Sequence, residues 1–179
     1  LLVVTDIDNN RLIRAARLFS PEHAAERGVK LVYANTGGIT DPVKYLLEIS
    51  GNKGYDDVFV FAPVKSVIEQ GDAILGFDGC LNFFAGPTDT AFAAKLNFYN
   101  VHYAGTHLVG TSGGTTADIR EALELMGKGV LNPAMMITHV GGLTAARETT
   151  LNLPNIPGGK KLIYTHQDFP LTALTDLPA

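Results

Sequence analysis

The chain has 179 residues, of which 46% are apolar, and its 14 Lys and Arg against 18 Asp and Glu give a formal net charge of −4. This composition suffices for one substantial core and contains no basic block that could neutralise a run of phosphates, so nucleic acid is not an expected partner. One cysteine, Cys80, excludes an internal disulfide framework. The sequence has no apolar run of membrane-spanning length and no secretory segment, which predicts no membrane association and a cytoplasmic location.

The first segments in chain order follow a strand and then a helix pattern. The run from Leu1 to Asp6 is apolar and β-branched, which is typical of a buried strand in a parallel sheet. It begins without an initiator methionine, a cap or a turn, so we expect the sequence to start in mid-fold. A helix is predicted from Asn9, and it stops near Pro21.

The same alternation continues along the chain. Further strands are predicted at residues 30–34, 57–62, 80–85, 103–111 and 160–164, and further helices at 42–50, 66–73 and 116–128. Asp41 is predicted to cap the helix that follows it, with Pro42 at its first position. Repeated strand and helix units of these lengths predict an α/β fold: a doubly wound parallel sheet with helices on both faces, incomplete at its N-terminus.

Asp6 is the main candidate functional residue. It lies at the carboxyl end of a predicted buried strand, where a dinucleotide-binding fold places a carboxylate that accepts hydrogen bonds from the adenosine ribose. Alternatively, Asp6 caps the following helix, and this residue alone does not decide between the two interpretations. Arg11 could contact the ribose or be a solvated charge. The glycine-rich fingerprint that precedes such a carboxylate by roughly 20 residues would lie before Leu1.

The remaining motifs are interpreted as structural. The glycine clusters at residues 35–38 and 111–114 are predicted to be turns, because neither has the spacing of a phosphate-binding loop. The five histidines are scattered without zinc-ligand spacing, so no metal site is predicted. Cys80 is predicted to be a core residue. Asp56 and Asp57 point to opposite faces of a strand and are not predicted to share acid/base chemistry, which leaves no predicted catalytic residue.

The order of these segments resembles the medium-chain, zinc-type alcohol and polyol dehydrogenases, whose cofactor domain is Rossmann-like. The matching segments are VVTDID at 3–8, DVFVF at 57–61, LNFFAGP at 81–87, YAGT at 103–106, the helix at 119–128, LNP at 131–133, ITH at 137–139 and GKKLI at 159–163. The spacing between the first helix and the second strand, and the sequence after the third strand, resemble the branch that includes L-sorbose-1-phosphate reductase.

This resemblance implies cofactor contacts at seven positions: Asp6 and Arg11 at the adenosine ribose, Ala62 and Pro63 at the adenosine half, and the backbones of Ala85, Thr106 and Leu108 at the nicotinamide carboxamide. The carboxylate of Asp6 repels the 2′-phosphate of NADP, so NAD is the expected cofactor. NADP stays possible through Arg11 or Arg14.

The resemblance also implies that cofactor binding and catalysis belong to different domains of a longer enzyme. Residues 1–136 would form a dinucleotide-binding domain without its first strand and glycine-rich loop, and residues 137–179 would return to the catalytic domain. The catalytic zinc, its ligands and the proton relay would belong to an N-terminal domain with no counterpart in this sequence. The strand at residues 101–108 would pair across a two-fold axis at the sheet edge, so a homodimer or higher homo-oligomer is expected.

The predicted function is the cofactor-binding portion of an NAD(P)-dependent dehydrogenase that acts on an alcohol, a polyol or a sugar phosphate and is inactive when isolated. Two alternatives remain open. An S-adenosylmethionine-dependent methyltransferase-like domain also carries an acidic residue at the end of its second strand. A non-catalytic domain that senses a dinucleotide would likewise need only the cofactor-binding half.

Overall fold

The computed structural model describes residues 1–177 and divides into two compact units. Unit 1 spans Leu1–Gly113, and unit 2 begins at Gly114. The predicted functional division between residues 136 and 137 stays a prediction. No helix in the described residues combines the length and the apolar character needed to cross a membrane.

Unit 1 alternates strands and helices, as predicted. Its elements are β1 (Leu2–Asp6), α1 (Asn9–Leu18), α2 (Pro21–Glu26), β2 (Leu31–Asn35), α3 (Pro42–Ile49), β3 (Tyr55–Val60), α4 (Lys65–Ala73), β4 (Leu75–Phe83), α5 (Phe98–Tyr103) and β5 (His107–Gly110). Every strand pair in this unit is parallel. The predicted α/β class with parallel strands is therefore confirmed.

The parallel strands of unit 1 form two sheets instead of the single predicted sheet. One sheet pairs β1 with β2, and the other has the order β3-β4-β5. Both sheets share a core with α3, in which Ala34 and Leu46 are buried and contact Val3 from β1 and Val58 from β3. The Tyr55 hydroxyl also donates to the Leu46 carbonyl at 2.7 Å. The two sheets are thus held by one helix, although no hydrogen bond between strands joins them.

A second core packs α4 against the three-stranded sheet. Val60, Ile68 and Leu81 are all buried in it, because the apolar side of α4 faces the strands on either side of it in sequence. Burial of large aliphatic side chains of this kind contributes about 1.5–3 kcal/mol each. This core fixes the ends of β3 and β4, where the predicted site residues follow.

Side-chain caps begin four of the five helices in unit 1, the exception being α4. The Asp41 carboxylate accepts the N–H of Lys44 at 3.0 Å, and Pro42 takes the first position of α3, as predicted. Helix α2 was not predicted; it is capped by Ser20, whose hydroxyl accepts the N–H of His23 at 3.1 Å. A six-residue helix buries too few apolar residues to give a periodic pattern, which explains why it was missed.

The largest difference from the predicted elements falls between residues 98 and 106. A strand was predicted from residue 101 or 103, but the chain forms α5 there and β5 begins only at His107. Asn97 caps α5 by accepting the N–H of Tyr99 at 3.0 Å. Gly105 then leaves the helix with φ +65°, a conformation that glycine adopts without strain. The aromatic and β-branched residues of α5 favour a strand by propensity, and the local caps override that preference.

Unit 2 contains a third sheet, which is also small. Its longer elements are α6 (Thr116–Gly127), β6 (Ile137–Gly142), α7 (Ala146–Leu151), β7 (Lys160–Tyr164) and β8 (Thr172–Ala173). The sheet order is β7-β6-β8, with β6 parallel to β7 and antiparallel to β8. Of these elements, α6 and β7 were predicted. The loop before β7 is held by Lys161, whose ammonium donates to the carbonyls of Ile156, Pro157 and Gly159 at 3.2, 2.9 and 2.8 Å.

The N-terminus of α6 is closed by a capping box. The Thr115 hydroxyl accepts the N–H of Asp118, and the Asp118 carboxylate accepts the N–H of Thr115. The backbone N–H of Thr115, followed by its hydroxyl, holds the pKa of Asp118 below its usual value. Because the folded-state pKa lies below the unfolded-state pKa, this stabilisation is fully present above the unfolded pKa and is lost as the pH falls through the folded pKa.

We expect Asp118→Asn to lower the urea midpoint of unfolding at neutral pH and to have little effect at an acidic pH at which the wild-type carboxyl is protonated, because the folded-state pKa of Asp118 lies below its usual value. Circular dichroism of urea titrations at the two pH values measures the difference. Glu121→Gln is the matched control, because Glu121 lies on the same helix without a capping contact. A loss that is equal at both pH values would contradict the assignment.

Candidate functional site

The carboxyl ends of the parallel strands carry most of the predicted site residues. In the first sheet, Asp6 ends β1 beside Asn35 of β2. In the second sheet, residues 61–63, 84–87 and 111–113 follow β3, β4 and β5. Ligands of open α/β sheets bind in the crevice outside these ends. Both groups are therefore placed where a ligand is expected.

The Asp6 carboxylate is partly exposed, and one of its two oxygens accepts a hydrogen bond from the backbone. Its side chain is 26% exposed, and Oδ1 accepts the N–H of Asp8 at 2.9 Å. The residue that caps α1 is Asp8, whose Oδ1 accepts the N–H of Asn10 at 2.8 Å. The alternative interpretation of Asp6 as the helix cap is therefore wrong. Among the described residues, its Oδ2 forms an ion pair with Arg11 but accepts no hydrogen bond. Oδ2 can therefore accept a hydrogen bond from a ligand hydroxyl.

Arg11 lies beside Asp6 on the first turn of α1. Its guanidinium is 3.6 Å from Oδ2 of Asp6 and 3.7 Å from Oδ2 of Asp8, and its side chain is 73% exposed. Exposed ion pairs at such distances contribute little to stability. The structure thus brings together the two residues predicted for the ribose. Arg11 lies between two carboxylates, but these weak ion pairs do not fix its position.

The ends of β4 and β5 line a cavity of about 500 Å³, formed by residues 83–87 and 110–113. This volume lies in the range of small-molecule sites. Ala85 is buried, and its N–H, like that of Phe84, donates to the Val60 carbonyl at 3.1 Å. Because the N–H of Ala85 is taken, only its carbonyl remains for a ligand. A Cβ added at Gly86 would meet no atom within 4 Å, so the wall is open at that point.

Ala62 and Pro63 lie in the turn that joins β3 to α4. Ala62 is half-buried and Pro63 is exposed, and the Ala62 carbonyl accepts the N–H of Val64 at 2.8 Å. Both follow β3 at its carboxyl end, next to the residues that follow β4. The structure therefore keeps them at the same edge of the sheet as Ala85.

Thr106 and Leu108 are not brought to that edge. The register pairs Cys80 with His107 and Phe83 with Gly110, which places Thr106 before the amino end of β5 and Leu108 in its middle. At about 3.3 Å per residue, Thr106 lies roughly 20 Å along the strand direction from Ala85. Thr106 is buried, and its N–H faces the Asn100 carbonyl at 3.5 Å. β5 begins four residues after the start predicted at residue 103 and ends at Gly110, so Thr106 and Leu108 both lie before its carboxyl end.

The residues of this strand that do reach the cavity are Thr111, Ser112 and Gly113. These residues were predicted only to form a turn. The signal that could have identified them is the change from the apolar pair Leu108-Val109 to a Gly-Thr-Ser-Gly-Gly run, which marks the strand end and hence the ligand-facing edge.

Neither the second cavity nor any acidic, histidine or cysteine cluster of the described residues adds a site. A larger cavity of about 720 Å³ in unit 2 is lined by residues that include Glu148, Asp168 and Phe169, and no predicted site residue lies on it. Within residues 1–177, no three His, Cys, Asp or Glu side chains come together as metal ligands. These residues therefore do not fit a zinc ion, and no chemical step is assigned to zinc on them.

The parallel strands, the intervening helices and the partly exposed carboxylate at a strand end define an α/β unit of the nucleotide-binding type. The family model for zinc-binding dehydrogenases matches residues 2–128. The chain belongs to this zinc-binding dehydrogenase family, which confirms the resemblance stated from the sequence motifs.

Two curated relatives place the chain within the family. It is 59% identical over 173 residues to mannitol-1-phosphate 5-dehydrogenase of Aliivibrio fischeri, with 97% of this chain and 41% of the relative covered. It is 48% identical over 177 residues to L-sorbose 1-phosphate reductase of Klebsiella pneumoniae, with 99% and 42% covered. The chain thus spans about two fifths of the length of these relatives.

The fold also matches solved structures. The crystal structure of 2R,3R-butanediol dehydrogenase from Bacillus subtilis aligns with a TM-score of 0.72 at 18% identity, over 92% of this chain and 43% of that one. At this identity the match shows the fold alone. It confirms the Rossmann-like α/β class predicted from the sequence.

Proposed function

We propose that the chain is the cofactor-binding portion of an NAD(P)-dependent dehydrogenase that interconverts a secondary alcohol and a ketone in a polyol or sugar phosphate. The observation that carries this proposal is the Asp6 carboxylate, which stands at the carboxyl end of a parallel strand, is not a helix cap and keeps Oδ2 available. The names of the two curated relatives, a polyol-phosphate dehydrogenase and a sugar-phosphate reductase, support the substrate class.

The cofactor contacts are proposed as follows. Asp6 accepts hydrogen bonds from the adenosine ribose with Arg11 beside it, and Ala62 and Pro63 lie near the adenosine half. The Ala85 carbonyl orients the carboxamide of the nicotinamide. Thr111 and Ser112 replace Thr106 and Leu108 in that role, because they line the cavity next to Ala85. When bound, the nicotinamide supplies hydride transfer, and the chain supplies its position and the orientation of its ring.

NAD is proposed over NADP on electrostatic grounds. A 2′-phosphate would lie against the Asp6 carboxylate, and like charges at contact distance repel. Arg11 is already placed between the carboxylates of Asp6 and Asp8, so its charge is largely balanced locally.

The remaining parts of the reaction are proposed to lie in the portion of the longer enzyme that this chain does not match. Residues 1–136 act as the cofactor domain and residues 137–179 return to the catalytic domain, which holds the zinc and the substrate. The chain alone is then inactive. A cytoplasmic location belongs to the same proposal, since the single cysteine offers no internal disulfide.

The decisive test is the coding sequence upstream of Leu1. An apolar strand followed by Gly-x-Gly-x-x-Gly, with Cys and His ligands further back, supports the proposal. A different nucleotide loop there overturns it. The methyltransferase alternative is tested by thermal shift of the 179-residue chain with NAD, NADP and S-adenosylmethionine. Stabilisation by S-adenosylmethionine alone would favour that alternative.

A homodimer through the β5 edge is proposed for the full enzyme. Leu108 is 55% exposed and Val109 42% exposed on an edge strand with one paired side, and edge strands of this kind readily pair with a copy. We expect Val109→Lys to shift the mass measured by light scattering from dimer to monomer. Val29→Lys, which changes a similarly exposed valine outside the sheet edge, is the control. A dimer that survives Val109→Lys would contradict this interface.

A further inference from the structure

One wall of the cavity at the ends of β4 and β5 belongs to a loop that has few contacts of its own. Gly86 and Pro87 line the cavity and begin the wall loop, residues 86–91, all of which are exposed. In the described part of the chain, the hydrogen bonds of this loop are local turn bonds, such as the one from the N–H of Phe92 to the Asp89 carbonyl at 3.1 Å. The position of the wall therefore depends on the two ends of the loop.

The wall loop is attached at its second end to the anchor segment, residues 92–97. Phe92, Ala94 and Leu96 are partly buried and pack against the core between α4 and the three-stranded sheet, while the residues between them are exposed. Alternation of this kind is typical of an extended chain. The Phe92 ring also stacks on that of Phe83 at 6.2 Å between centroids. One side of the anchor segment thus lies in the core.

Two carboxylates of α4 accept backbone N–H groups of the anchor segment. Oε1 of Glu69 accepts the N–H of Lys95 at 3.0 Å, and Oδ2 of Asp72 accepts the N–H of Asn97 at 2.8 Å. Residues three apart lie on the same face of a helix, so the two carboxylates form a row along which the segment runs. The backbone of the segment is therefore held by α4 at two points, and the second point is its last residue.

Asp72 is the more buried of these two carboxylates. It is 8% exposed, whereas the hydrogen bond of Glu69 is open to solvent. No ion pair of the described residues includes Asp72. A buried carboxylate has lost its hydration, so the N–H that it accepts is important to it, and such charge-assisted hydrogen bonds are roughly twice as strong as neutral ones. Because Asn97 also caps α5, Asp72 fixes the point at which the anchor segment ends and α5 begins.

We propose that Asp72 is a positioning residue for the nicotinamide: it holds Asn97, and the anchor segment keeps the wall loop in place beside Ala85. This inference rests on the proposed function, because the cavity next to Ala85 is the proposed nicotinamide site. Asp72 itself does not line the cavity, so it acts only through the loop. The adenosine half is proposed to bind elsewhere, at Asp6, so a displaced wall alters the orientation of the ring more than the affinity for NAD.

Asp72→Ala is expected to lower kcat of the dehydrogenase that contains this chain by about tenfold and to leave KM for NAD nearly unchanged, because misplacement of a reacting group lowers the rate. Asp72→Asn is expected to keep most of kcat, since its amide oxygen can accept the same N–H. Tyr55→Phe is the matched control, because it removes another single hydrogen bond, to the Leu46 carbonyl at 2.7 Å, in the core beneath α3. It should lower the thermal midpoint without changing kcat. Steady-state kinetics and thermal unfolding of these variants measure the effects.

Amide exchange measured by NMR on the 179-residue chain tests the anchor without any cofactor. The amide of Asn97 is expected to exchange about tenfold faster in Asp72→Ala than in the wild type, because its acceptor is lost and the segment opens more often. In Asp72→Asn and Tyr55→Phe this amide is expected to stay slow. Asp72→Ser, whose hydroxyl reaches less far than the carboxylate, replaces Asp72→Ala in both measurements if that variant does not fold.

Unchanged exchange of the Asn97 amide in Asp72→Ala would overturn the proposal. A higher KM for NAD at constant kcat, which indicates lost uniform binding, would also overturn it, as would an equal loss of kcat in Tyr55→Phe, which indicates lost stability alone. A wild-type enzyme without NAD-dependent turnover would instead overturn the proposed function, and the positioning role with it. The exchange measurement separates the two failures, because it is made without cofactor.

Discussion

Replacement of Asp6 by alanine is expected to lower the affinity for NAD on the order of 100-fold in the dehydrogenase that contains this chain. A hydrogen bond to a charged group contributes about 1.5–3 kcal/mol, and every 1.4 kcal/mol corresponds to about tenfold in affinity. The carboxylate is placed for this role because Oδ1 is held by the N–H of Asp8 while Oδ2 stays available. Isothermal titration with NAD measures the loss. Titration with NADP should show a smaller loss or a gain, because the repulsion of the 2′-phosphate is removed.

Asp8→Ala is the matched control for this experiment. Asp8 is a carboxylate two residues away that also lies near Arg11, but its role is to cap α1. Its loss should cost about 1 kcal/mol of stability and leave the affinity for NAD nearly unchanged. If the two variants lose NAD affinity equally, the effect belongs to the local charge and not to a ribose contact at Asp6.

Replacement of Gly54 by alanine is expected to destabilise unit 1 by about 2–5 kcal/mol. Gly54 has φ +77°, and a Cβ there would lie 2.6 Å from the backbone N and Cα of Gly76. The left-handed conformation costs a non-glycine residue roughly 1–2 kcal/mol, and overpacking against rigid atoms adds about 1–3 kcal/mol. The close approach joins the starts of β3 and β4, so the change should also loosen that pairing. Urea titration followed by circular dichroism measures it.

Gly51→Ala separates the conformational cost of the left-handed backbone from the cost of overpacking. Gly51 has φ +66°, close to that of Gly54, but a Cβ there would meet nothing within 4 Å. This variant should show only the conformational cost of roughly 1–2 kcal/mol. A Gly54→Ala variant no less stable than Gly51→Ala would mean that β3 and β4 shift apart without cost, which contradicts the tight approach at Gly76.

The elements of unit 1 that could be predicted from sequence are those with local signals. Asp41 and Pro42 mark the start of α3, and the run before Asp6 marks β1, because caps and apolar runs act within a few residues. The division into two sheets could not be predicted, since strand pairing depends on contacts between distant segments. The helix at residues 98–103 was missed because its composition favours a strand and its decisive cap is the single residue Asn97.

The candidate site shows the same limit. Asp6 was found because its position follows directly from one strand and its end. The nicotinamide side depends on how β5 aligns with β4: the resemblance implied Thr106 and Leu108, whereas the register brings Thr111 and Ser112 to the cavity next to Ala85. Register is a property of the sheet and not of either strand alone.

The loop contacts of Lys161 have a consequence for chemical labelling. Its ammonium donates hydrogen bonds to three backbone carbonyls. The nitrogen can therefore react with an acylating reagent only when the loop opens and these hydrogen bonds break. Exposed lysines such as Lys128 lack this protection. The acylation rate of Lys161, measured by mass spectrometry, would therefore report how often the loop at residues 156–159 opens, which is a measure of local motion in unit 2.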